Sequence, residues 1–263
     1  MDDNAALYYA LKKGKPVVPI FIFDKNILDN LEDKKDRRVA FIHAAIMELQ
    51  QQLQELGSTL EIYYGFPTDV FQQLVSRYAI DTVFANHDYE PYAVERDTAV
   101  EKWLTGTNTL FLTWKDQVIF EKNEIMKDDG SPYTVFTPYS KKWKSLLGEY
   151  YYKSYPSEKC DDQFYKQRPL AVPSLESTGF TKVEDSFPSK LLQDDLILNY
   201  SKQRDYPGLN GTSRIGVHLR FGTVSIRKLV QQALSASDTY LNELIWREFY
   251  QMILWHFPKV GKG

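Results

Sequence analysis

Strand-like and helix-like segments alternate through the first 120 residues, and this alternation constrains the fold more than any other feature of the chain. Residues 16–24 (PVVPIFIFD) form a continuous apolar run closed by a carboxylate, as a strand covered on both faces reads. In residues 35–57, Val39, Ile42, Ile46, Leu49, Leu53 and Leu56 recur at spacings of three and four, and Gly57 fits a helix stop. A strand is expected over 59–64, a helix over 68–78 with Thr68 as its N-cap, a strand over 81–86 and a helix over 93–104. Residues 110–120 read as one or two further strands. Strands and helices in this order imply βαβ crossovers and an α/β fold, a doubly wound parallel sheet over residues 1–122.

The chain opens on Asp2, Asp3 and Asn4, then an alanine-rich run that Asn4 can cap and Gly14 can end. A doubly wound sheet places its first strand centrally. No strand precedes this opening helix, so the chain is expected to be a piece lacking that strand. Residues 123–185 hold five prolines, at 132, 138, 156, 169 and 173, and read as a long interdomain linker with a short helix near 140–147. From 186 to 263 the patterns are helical throughout. That stretch is too small for a strong independent core, so it is expected to be the start of an all-helical domain that continues further.

A net charge of −3 gives no global attraction to nucleic acid, so any such contact must be a local patch. The lone Cys160 excludes an internal disulfide and a thiolate cluster, and the four histidines lack metal-ligand spacing. No run approaches the roughly 18 apolar residues of a membrane helix, and no secretory signal is seen. The expectation is a cytoplasmic monomer with no metal and no membrane partner.

The densest chemistry falls late. As a helix, residues 238–252 put Tyr240, Glu243, Trp246, Arg247 and Tyr250 on one face and Leu241, Leu244, Ile245 and Met252 on the other. Aromatic walls beside charge suit a flat ligand, such as a nucleobase or flavin ring. Glu243 has two readings. It can form an i,i+4 ion pair with Arg247, worth about 0.3–0.5 kcal/mol. Alternatively it is a partly desolvated carboxyl that donates to a ligand carbonyl, with Trp246 stacked on the same ligand. Upstream, Gly211-Thr212-Ser213-Arg214 precedes a helical pattern, and Thr212 or Ser213 serves either as an ordinary cap or as part of an anion site with Arg214. Residues 200–207, with Tyr200 and Arg204, read as a solvated loop or as phosphate contacts.

Taken in order, residues 2–7, Val135-Phe136-Thr137-Pro138-Tyr139 with Trp143, Gly211-Thr212-Ser213-Arg214, His218-Leu219-Arg220-Phe221-Gly222 and residues 242–250 resemble the photolyase/cryptochrome family, most closely the microbial cyclobutane pyrimidine dimer photolyases. The resemblance implies a flavin enzyme that uses light to split pyrimidine dimers in DNA. It implies FAD contacts from Tyr200, Thr212, Ser213, Arg214, Ile215, Gly216, Tyr240 and Arg247. It gives Glu243 and Trp246 the catalytic roles, hydrogen-bonding the thymine carbonyls and stacking on the flipped dimer. DNA contacts would come from Arg204, Glu243, Trp246, Arg247 and Tyr250. Glu at 243 fits a cyclobutane-dimer enzyme, since the branch acting on (6-4) lesions has Gln there. The pair expected for a folate antenna falls on Tyr92 and Ala93, so a second, antenna chromophore stays unidentified. Gly216 stands where relatives often have Ser. The family's remaining flavin contacts would lie after residue 263, so this span alone is expected to be inactive. Two alternatives stand beside this reading: a cryptochrome-like blue-light photoreceptor, and a generic nucleotide-binding module with a helical appendage.

Overall fold

The computed structural model describes residues 1–183 and 186–262. The end of the expected linker, residues 184 and 185, and the last residue, 263, lie outside the described residues. The elements in order are α1 (Ala5–Lys12), β1 (Ile20–Asp24), a single turn α2 (Lys25–Leu28), α3 (Arg37–Glu55), β2 (Glu61–Gly65), α4 (Pro67–Arg77), β3 (Thr82–Asn86), α5 (Pro91–Thr105) and β4 (Leu110–Trp114). Then follow α6 (Phe136–Leu146), α7 (Asp194–Leu198), α8 (Tyr200–Gln203), α9 (Gly216–Arg220), α10 (Ile226–Ala236) and α11 (Asp238–His256). No described helix is long and apolar enough to cross a membrane.

The chain divides into two compact units. One comprises Met1–Ala85, Arg96–Thr113 and Pro156–Phe187; the other Asn86–Glu95, Trp114–Tyr155 and Pro188–Gly263. The proline-rich segment is therefore shared, with residues up to Tyr155 in the second unit and those from Pro156 in the first.

In the first unit, β1 and β2 pair in parallel from Ile20 opposite Glu61 to Asp24 opposite Gly65. The Leu110 N–H donates to the Asp81 carbonyl and the His87 N–H to the Trp114 carbonyl, so β3 and β4 also run the same way. The strands pair as two two-stranded sheets, β1–β2 and β3–β4. Side-chain alternation along β1 serves two helix layers. Ile20 and Ile22 pack with Val70, Phe71 and Leu74 of α4 and Val100 and Leu104 of α5, while Phe21 and Phe23 pack with Leu11 of α1 and Val39, Ile46 and Leu53 of α3. Helices on opposite faces of parallel strands are the doubly wound α/β arrangement.

Several boundaries differ from the sequence reading for local reasons. The apolar run 16–24 is not one strand: Val17 bridges to Phe164, and Pro19, with no N–H, separates that bridge from β1. Helix α4 starts at Pro67, whose fixed φ suits a first helical position, and Phe66 rather than Thr68 is its N-cap. Helix α5 begins at Pro91, two residues early, for the same reason. Helix α6 begins at Phe136 rather than Ser140, because Pro138 falls in the first turn, where no N–H is needed. The first cap was read correctly: the Asn4 Oδ1 accepts from the Leu7 N–H at 2.9 Å. So was the stop at Gly57, whose φ of +70° ends α3.

Strand β4 stops at Trp114 and does not continue to Phe120. The N–H groups of Ile119 and Phe120 instead donate to the Glu248 carboxylate of α11, at 2.6 and 2.9 Å. Glu248 is 2% exposed and also accepts from Trp143 Nε1 at 2.5 Å. A side chain does here what a neighbouring strand would otherwise do for these backbone donors.

The second unit is built on α6, α7, α10 and α11. Its core joins Tyr139 and Trp143 of α6, Ile197 of α7, Leu229, Val230 and Ala233 of α10, and Leu241, Leu244, Ile245, Phe249 and Met252 of α11. The apolar face read for residues 238–252 is thus the face that packs.

Candidate functional site

The Ser237 hydroxyl caps α11 by accepting the Tyr240 N–H at 3.3 Å. From that start, helical spacing carries Tyr240, Glu243, Arg247, Tyr250, Gln251 and Leu254 to one side, where they line a cavity of about 500 Å³ within the second unit. Tyr200, Ser213, Ile215, Gly216, Leu219 and Arg220 form the facing wall, and Glu90 completes it. The volume falls in the range of small-molecule sites, roughly 300–1,000 Å³.

One end of the cavity is aromatic. Tyr240 is 2% exposed and meets Tyr200 edge to face, with ring centroids 5.0 Å apart at 86°. Burial raises both phenol pKa values, so both hydroxyls stay protonated near neutrality. The Tyr240 hydroxyl donates to Ser213 Oγ at 3.1 Å, which fixes the 211–216 loop against α11. That loop also needs a glycine. A Cβ on Gly211 would lie 2.6 Å from the Gln203 Cβ and 2.8 Å from its carbonyl oxygen, so only a bare backbone lets the loop approach the end of α8.

The charges pair in ways that neighbouring sequence does not suggest. Glu243 forms its ion pair with Arg204, at the end of α8, and not with Arg247. Arg247 gives its guanidinium to backbone carbonyls, to Gln117 at 2.6 Å and Leu219 at 3.2 Å. Burial lowers its pKa, yet from so high a starting value that it stays a cation. Arg220 pairs with Glu90 at 2.5 Å. The wall therefore carries two guanidinium groups and two carboxylates. Gln251 adds an Oε1 that is buried with no hydrogen-bond partner among the described residues.

Eight of the residues expected at the site line this cavity: Tyr200, Ser213, Ile215, Gly216, Tyr240, Glu243, Arg247 and Tyr250. Four do not. Thr212 and Arg214 are exposed, and Arg214 turns the loop at a φ of +51°. Neither Thr212 nor Ser213 caps α9, whose N-cap is Ile215 with no side-chain bond. Arg204 reaches the site through Glu243. Trp246 stacks face to face on Phe136 of α6, centroids 3.7 Å apart at 6°. Trp246 thus does not stand beside Glu243 in the cavity wall; Phe136 draws the indole toward α6. The polar residues not anticipated are Glu90, Arg220 and Gln251 in the wall and Glu248 on the packed side of α11. Glu248 had a readable signal. It follows Leu241 and Ile245 and precedes Met252 at core spacing, so it had to be a buried acid with partners.

The model of the DNA photolyase family matches residues 1–158, and the chain belongs to that family. Among its relatives, the deoxyribodipyrimidine photo-lyase of a Synechococcus species is 31% identical over all of this chain and 60% of its own length. A bacterial class III photolyase from Agrobacterium tumefaciens has a similar structure, with a TM-score of 0.80 and 21% identity, covering 99% of this chain and 57% of that one. An archaeal photolyase from Sulfolobus tokodaii, described with two FAD molecules, aligns with a TM-score of 0.74 and 24% identity, over 98% of this chain and 58% of that one. The chain spans less than two thirds of each of these proteins.

Proposed function

We propose that this chain serves deoxyribodipyrimidine photolyase chemistry, the light-driven splitting of cyclobutane pyrimidine dimers in DNA, with FAD held in the cavity beside α11. On this reading it acts as a monomer in the cytoplasm. Residues 1–122 form the family's α/β part, 123–185 its linker and 186–263 the start of its flavin-binding part. The observation that carries the proposal is one cavity that combines buried tyrosine rings, two guanidinium groups and an acceptor lacking a donor. That donor set fits FAD. The rings suit a planar ligand, and Gln251 Oε1 needs an N–H that a flavin or adenine ring can give.

Reduced FAD, when bound and illuminated, supplies the electron that opens the dimer. The residues of this chain bind and orient. Tyr200 and Tyr240 wall the ring system. Arg247, Ser213, Ile215 and Gly216 frame the rest of the cofactor, and Thr212 and Arg214 shape the loop that carries them. Glu243 exchanges Arg204 for the hydrogen-bonding edge of a pyrimidine, and Arg204 is then free for phosphate. Tyr250, backed by Trp246, offers stacking surface to the extruded bases. The chain is expected to retain dimer-containing oligonucleotide in preference to the undamaged strand. Glu243→Ala removes the side chain that meets the pyrimidine edge and should reduce that preference about five- to twentyfold in a gel-shift or anisotropy titration. Equal retention of both strands by the unmodified chain would reject the proposal.

A further inference from the structure

Trp246 has a partner that no neighbouring sequence specifies. Phe136, the first residue of α6, lies parallel to the indole at 3.7 Å and 6°, a full face-to-face overlap of two half-buried rings. On the same helix Tyr250 lies one turn beyond, 5.5 Å away and tilted only 25°. The three rings form a ladder that starts under α6 and ends at Tyr250, which is 62% exposed and borders the cavity. Phe249 holds the inner end edge-on, at 79° to Phe136 and 81° to Trp246. A free tryptophan on a helix surface samples several rotamers. An indole with Phe136 on one face, Phe249 at its edge and Tyr250 stacked one turn beyond keeps one plane.

We infer that Phe136 is a positioning residue: it fixes the plane of Trp246 so that an unpaired nucleobase can extend the ladder at its Tyr250 end. The inference rests on the DNA reading of this site. Base stacking on an aromatic ring depends on a preset plane, because a ring that must first be ordered gives up part of the binding energy to rotamer entropy. Phe136 touches no substrate in this account. It acts through Trp246.

The test uses the whole chain and a short single-stranded oligothymidylate with one 2-aminopurine, whose emission falls when it stacks. Phe136→Leu keeps an apolar side chain in the core but removes the ring, so the fold is retained. It should weaken binding five- to tenfold and abolish most of the stacking-dependent quench. Phe136→Tyr restores a ring and should recover both, which a merely structural role of apolar volume would not require. If Trp246→Ala weakens binding while Phe136→Leu matches the unmodified chain, Phe136 has no positioning role and the site reading stands. If Trp246→Ala also binds and quenches like the unmodified chain, the site reading itself falls.

Discussion

Replacing Glu248 by Gln should cost the second unit about 2–3 kcal/mol at pH 5, seen as a lower midpoint in urea or thermal unfolding. The carboxylate collects three donors: the Ile119 and Phe120 N–H groups and the Trp143 indole N–H. An amide has one acceptor oxygen, so its NH₂ must face at least one of those donors. A protonated carboxyl can turn its hydrogen aside and still accept on both oxygens. Burial pushes the Glu248 pKa up to about 7, against the pull of its three donors and the nearby Arg247. The ordinary value is 4.5. Between these limits the folded state holds the proton more tightly than the unfolded chain does. The resulting stabilisation, about 3 kcal/mol, is complete below pH 4.5 and is lost as pH rises through 7. The gap between the unmodified chain and Glu248→Gln should therefore be widest near pH 5 and narrow toward pH 8. A gap that widens with pH would contradict this account of Glu248.

Arg227→Met should cost about 2–3 kcal/mol by the same measurement. Arg227 is 4% exposed and holds the Asp116 carboxylate at 2.8 Å and the Asp116 carbonyl at 3.1 Å, with its guanidinium over the Tyr155 ring. Methionine keeps most of the stem's volume but leaves a largely buried carboxylate without its cation, and breaking one side of such a pair is the costly change. Asp116 is still 20% exposed and accepts from Asn86 Nδ2 at 3.2 Å, which keeps the loss below that of a fully buried pair. Adding Asp116→Asn to Arg227→Met removes the stranded charge and should recover part of the loss. Together Arg227 and Glu248 clamp residues 116–120 to α10 and α11, and α11 carries Glu243, Arg247 and Tyr250 into the cavity.

What was legible in the sequence was local. The 3.6-residue period of α3 and α11, the Asn4 cap, the Gly57 stop and the alternation of strands and helices all depend on neighbours within a turn or two. The packing face of α11, Leu241, Leu244, Ile245 and Met252, was readable for that reason. What was not legible depends on residues far apart in the chain. Glu243 has Arg247 at helical spacing but takes Arg204, 39 residues back. Trp246 shares a helix with Glu243 but is captured by Phe136. The segment after Trp114 has strand composition, yet its donors go to Glu248, 128 and 129 residues on. Periodicity reports which face of a helix is apolar. It does not report which distant group answers a buried charge or ring.

The central claim is that the cavity beside α11 receives the flavin cofactor. Gly216 lies in its wall, and a Cβ added there meets nothing within 4 Å, so Gly216→Leu sets a bulky side chain at the cavity wall without straining the backbone. The most direct measurement is a fluorescence titration of FAD with the unmodified chain and with Gly216→Leu, each first shown to unfold at the same midpoint. Saturable binding by the first, weakened at least thirtyfold in the second, is the expected result. No saturable binding by the unmodified chain, or equal binding by both, would contradict the claim.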